Sequence, residues 1–262
     1  MTLAACAALV ERGDPDRFAA CMAAPPAARA RLWPLYALNV EISRAAWASA
    51  EPLIAEMRLQ WWRDAVADLG RGVVRGHEVM AQVAQVVRDG ALPLDVLERM
   101  IDARRWDISR APFANRAAFD AYLENTGAGL MWLAAKALGA PDAVEPMVRD
   151  AGWAMALAGY LRAVPELAAR GRVPLVDGRA QAVADLARDG LVRLARARTV
   201  RRALGRRALG RAAAPALLAG WQTAGLLRLA VTEPQRVAEG RLQLSEFGRR
   251  GGLLWVAVTG RW

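Results

Sequence analysis

Between one proline or glycine and the next, this chain repeatedly carries apolar residues at helical intervals, and nothing before its last few residues alternates as a sheet strand does. That spacing points to an all-α fold, a helical bundle. Asp14 is placed to cap a helix whose first turn takes Pro15 and which Pro25 and Pro26 stop. A long helix is expected over 27–48, with Leu32, Leu35, Tyr36, Leu38, Val40 and Ile42 in register and Pro34 bending the axis. The next, over 51–70, is expected to pack through Leu53, Ile54, Met57, Trp61, Ala65 and Leu69. Further helices are predicted over 77–88, 93–105, 115–138, 143–169, 180–209 and 212–231. The tail reads as less regular, and only its last few residues are left open to a strand. Gly127 and Gly129, costly inside a helix, mark close packing or a bend facing a ligand.

The 262 residues suit one domain, 1–262, and a 55% hydrophobic content with a mean hydropathy of +0.12 is enough for a sizeable core. The net charge of +10 is almost all arginine, since Lys136 is the only lysine. It permits contact with an anionic lipid surface or a diphosphate. Nucleic acid is not expected as a partner, for there is no zinc-finger spacing, RNA-binding signature or aromatic-interleaved basic stretch. The basic run over 193–211 is amphipathic, and we read it as a solvated face ahead of a membrane-surface helix. Two cysteines, Cys6 and Cys21, are too few for a disulfide framework. With no signal-like start and no apolar run of membrane-spanning length, a cytoplasmic chain is expected, peripheral on the inner membrane at most.

Two segments carry a family resemblance: RARLWPLYALNVEISRAAW over 29–47 and LAGYLRAVPELAARGRVPLV over 157–176. They resemble the two signature helices of the squalene/phytoene synthase family, and the intervening stretch from Met100 is similar to that family as well. The resemblance implies an isoprenoid-synthase bundle with a central cavity. Such enzymes hold Mg²⁺ with aspartates four apart on facing helices, because a hard cation takes oxygen ligands and substrate phosphates. Here the first motif falls on Ser43, Arg44 and Trp47, and the aspartates of the second fall on Ala163 and Leu167. Arg162, Glu166, Gly171 and Arg172 match the surroundings of the second motif. No catalytic residue, cofactor or metal site carries over. The run EPLIAEMRLQWWRDAV over 51–66, with YALNVEISRA before it, resembles a non-canonical branch of the family, which includes a mitochondrial assembly factor of respiratory complex I. That implies an assembly or maturation role with respiratory complex subunits or assembly proteins as partners, and a cavity able to hold a prenyl or lipid chain. The alternative is an active head-to-head prenyltransferase using Mg²⁺, with Arg29, Arg31, Arg162 and Arg172 on the diphosphate.

Single residues stay open between two readings. Trp61 and Trp62 point about 100° apart on a helix, so one is a surface anchor or a packed boundary residue. Arg58, Arg63 and Asp64 beside them bind an anion or partner, or pair within the helix. The i, i+4 pairs Asp64/Asp68 and Asp185/Asp189 are read as solvated faces rather than metal sites, and His77, the only histidine, as an exposed helix entry.

Overall fold

The computed structural model describes residues 2–49, 51–205 and 208–260, and among them every regular element is helical. The chain begins with α1 (Leu3–Gly13), α2 (Pro15–Met22), α3 (Pro26–Ala45) and α4 (Pro52–Gly70). Shorter helices follow: α5 (Met80–Gly90), α6 (Leu94–Ala103), α7 (Arg105–Ile108) and α8 (Arg116–Leu123). A π-helical turn, Glu124–Ala128, then runs into α9 (Gly129–Ala137). The second half holds α10 (Glu145–Ala169), α11 (Ala180–Leu204), α12 (Thr223–Thr232), α13 (Gln235–Ala238) and α14 (Glu246–Thr259).

The expected starts are where local chemistry sets them. Asp14 accepts the backbone N–H of Arg17 at 3.0 Å and caps α2, and Pro26 and Pro52 open α3 and α4 in the first turn, where no donor is lost. Pro34 stays inside α3 and Pro165 inside α10. The long helix expected over 115–138 is interrupted by the π turn at Gly127, and the one expected over 180–209 stops at Gly205, whose φ of 80° no helix continues through. Arg206, Arg207, Arg261 and Trp262, within the basic run and the tail, lie outside the described residues.

One core runs from Cys6 to Val256, with α3, the π turn, α9 and α10 at its centre. Gly127 and Gly152 let the π turn and α10 meet backbone to backbone. A Cβ at Gly127 would lie 2.3 Å from Ala156 Cβ, and one at Gly152 would lie 2.7 Å from Ala128 Cα. Close helix packing is therefore what Gly127 serves.

Three expectations are corrected. The buried face of α4 is Ala55, Leu59, Trp62, Ala65 and Val66, while Leu53, Ile54 and Met57 point outward. Apolar residues occur on both sides of this helix, so periodicity alone could not choose the face that packs. The tail is not a strand but α14, capped by the hydroxyl of Ser245, which accepts the N–H of Gly248 at 3.1 Å. His77 is only half-exposed: its ring packs 4.6 Å from Trp62 and 5.4 Å from Trp61, and its Nδ1 accepts the Val79 N–H.

Candidate functional site

The two motif segments face each other across a cavity of about 950 Å³. Helix α3 contributes Asn39, Val40, Ser43 and Arg44, with Trp47 just beyond its end; α10 contributes Met155, Gly159, Arg162, Ala163, Glu166 and Leu167. Successive positions four apart on α3 share a side, so Asn39, Ser43 and Trp47 form one wall. Leu123, Thr126 and Gly127 of the π-turn region and Gln222, Thr223 and Leu226 around the start of α12 close it.

Six arginines reach the lining: Arg17, Arg44, Arg58, Arg104, Arg162 and Arg170. The carboxylates there are already engaged. Asp14 pairs with Arg17, Asp107 with Arg104, and Glu166 with Arg170. Asp16 takes Arg162 at 2.6 Å and Arg249 at 3.2 Å, and Glu41 stands 4.0 Å from Arg44. Arg58 makes no ion pair among the described residues.

Asp107 sits in a buried network at the wall. Tyr122 donates its hydroxyl to Asp107 at 2.9 Å, and Arg104 donates to Asp107 at 3.2 Å and to Tyr122 at 2.9 Å. Burial pulls the Arg104 pKa down, but Tyr122 and Asp107 more than reverse it and the guanidinium is held above its ordinary value. Arg17 behaves likewise, with burial opposed by Asp14 and Tyr36. Burial pushes the Tyr36, Tyr122 and Tyr160 phenols up, so they remain protonated donors.

The remaining arginines named from the sequence lie elsewhere. Arg29 donates to the carbonyls of Ala24 and Met22 at the end of α2, and Arg31 donates to the Ala137 carbonyl at 3.2 Å. Arg172 is buried over the Trp106 ring at 4.5 Å and the Trp47 ring at 5.7 Å, donating to the carbonyls of Trp106 and Asp107. All three brace the fold and none lines the cavity. Arg63 pairs with Asp102, Asp64 and Asp68 with Arg75, Asp185 with Arg188 and Asp189 with Arg116, so neither aspartate pair is left open to a cation. Trp62 is buried and Trp61 half-buried, in edge contact at 4.9 Å. Sequence reasoning passed over Asn39, Arg17, Arg104, Asp107 and Gln222. Only proximity in the folded chain singles them out.

A divalent metal does not fit this donor set. Ser43, Trp47, Ala163 and Leu167 offer no carboxylate, the acids nearby are neutralised by guanidinium groups, and no cluster of three or more Asp, Glu, His or Cys capable of holding a metal occurs among the described residues.

Comparison with known proteins agrees with this architecture. A dehydrosqualene synthase crystal structure superposes with a TM-score of 0.72 at 14% identity, covering 98% of this chain and 95% of that one. A squalene synthase from Alicyclobacillus acidocaldarius gives 0.59 at 15%, covering 98% and 94%. At such identities the likeness concerns the fold. Among curated proteins, the chain is similar to a Drosophila melanogaster homologue of NADH dehydrogenase (ubiquinone) complex I assembly factor 6, 29% identical over 178 residues, 65% of this chain and 53% of that protein. The Bos taurus and Homo sapiens assembly factors are 27% and 25% identical over 169 residues, 64% of this chain and 51% of theirs. The chain thus spans about half the length of the curated relatives it matches. The squalene/phytoene synthase profile matches residues 10–245, well into the C-terminal third where the sequence offered only helical character. On that match, over nearly the whole length, the chain belongs to the squalene/phytoene synthase family.

Proposed function

We propose that this protein is a catalytically degenerate member of its family that serves as an assembly or maturation factor for respiratory complex I, the NADH dehydrogenase, and acts through its partners rather than by turnover. The observation that carries this reading is the pairing of a retained cavity with Ser43, Trp47, Ala163 and Leu167 at the positions where the family's metal ligands would stand. Diphosphate departure needs electrophilic activation that these side chains do not supply. The complex I assembly factors among its relatives support the same direction. Deleting the gene should lower assembled complex I several-fold on native gels, with recovery on re-expression. Unchanged levels would end the reading. Incubation with Mg²⁺ and farnesyl or geranylgeranyl diphosphate should release no pyrophosphate above background; turnover would establish the prenyltransferase alternative instead.

Within this reading the protein works at the cytoplasmic face of the inner membrane, and its cavity takes a prenyl or lipid chain. No described helix is long and apolar enough to cross a membrane, but α14 exposes Phe247, Leu254, Trp255 and Val258 along one side. Its end is held to basic α11 by Arg201, which donates to the Gly260 carbonyl at 2.7 Å. Such a face suits an anionic bilayer surface. The chain should float with vesicles containing phosphatidylglycerol, and Phe247→Ser with Trp255→Ser should reduce the bound fraction at least several-fold. Equal flotation of the variant would remove α14 from the proposal.

A further inference from the structure

The wall formed by Asn39, Ser43 and Trp47 goes from half-buried at Trp47 to buried at Asn39. Asn39 and Gln222 are each only 7% exposed, both line the cavity, and neither carboxamide has a hydrogen-bond partner among the described residues. They stand on different walls, Asn39 in α3 and Gln222 at the entry to α12. Side-chain amides carry two donors and an acceptor with two lone pairs. Neither of these two is among the occluded unpaired polar atoms of the described residues, so both open onto the cavity and are free to bond what fills it. A hydrocarbon end packed against them would strip both of water and return no hydrogen bond.

Two balanced pairs, half-buried Arg17 with Asp14 and Arg104 with buried Asp107, also line the cavity, so the buried side near Asp107 asks for a neutral polar group. Towards the surface Arg58 is exposed and unpaired among the described residues, and Arg44 is exposed and 4.0 Å from the nearest carboxylate. That end asks for an anion.

We propose that the cavity binds an amphiphile polar at both ends, with an anionic group at the mouth and a hydrogen-bonding group such as a hydroxyl or carbonyl held by Asn39 and Gln222. This rests on the reading that the cavity takes a lipid-like chain and specifies which kind, and it does not depend on the role in complex I assembly.

The test compares dodecyl phosphate with ω-hydroxydodecyl phosphate, by calorimetry on the full chain in EDTA. The hydroxylated probe should bind about tenfold tighter or better, the difference expected when amides facing the cavity gain a partner instead of losing water to a hydrocarbon end. Asn39→Leu combined with Gln222→Leu should abolish or reverse that preference, while Arg44→Ala with Arg58→Ala should weaken both probes alike. The wild-type comparison stands even if a variant fails to fold. Equal binding of the two probes, or tighter binding of dodecyl phosphate, would overturn the polar inner end and leave the lipid reading in place. Binding of neither would overturn both.

Discussion

Replacing Asp107 with alanine should destabilise the protein by about 3–5 kcal/mol, the range seen when one partner of a buried ion pair is removed. Asp107 is 4% exposed and Arg104 has no other carboxylate partner among the described residues, so the variant would leave a guanidinium in the wall of the cavity with only the Tyr122 hydroxyl to receive it. Asp107→Asn keeps an acceptor and should cost distinctly less. Urea unfolding of the three proteins, read as midpoint shifts at constant slope, would check this. A loss below about 1 kcal/mol for the alanine variant, the size typical of an ordinary surface change, would mean that Asp107 is not the anchor described here.

The second large effect lies where the π turn meets α10. Gly152→Val should lower stability by about 1–3 kcal/mol or more, because overpacking forces backbone to move when nothing flexible can yield. The added Cβ would meet Ala128 Cα at 2.7 Å and Met131 Cβ at 3.0 Å. In the same helix, Gly159 faces the cavity and a Cβ there would meet nothing within 4 Å. Gly159→Ala should therefore be neutral or stabilising by up to about 1 kcal/mol, through helix propensity alone. Two glycines on one helix should thus respond differently, one losing stability and the other losing none, which thermal melts of the two variants would show. If both behaved alike, the close approach of the two helices would not be what constrains Gly152.

Much of the fold could be read directly. Proline placement and the Asp14 cap set the starts of α2, α3 and α4 because both act within one helical turn. Periodicity failed where a helix is apolar on more than one side: Leu53, Ile54 and Met57 in α4 look like core and are exposed. It also failed at α14, where glycines at 248, 251 and 252 weaken the helical signal and the Ser245 cap goes unrecognised.

For the site, the family resemblance alone placed the motif positions on Ser43, Arg44, Trp47, Ala163 and Leu167, an expectation that the sequence by itself can state, since it needs residue identities in a matched segment and no fold. Which arginines remain available was decided only by the tertiary structure. Asp16 meets Arg162 across 146 positions of sequence and Arg249 across 233, while Arg29, Arg31 and Arg172 are drawn to carbonyls elsewhere. Charge pairing and burial depend on distance in space, and a local pattern records neither; so Asn39 and Gln222, little exposed residues whose amides open onto one cavity, came into view only once the helices had closed around them.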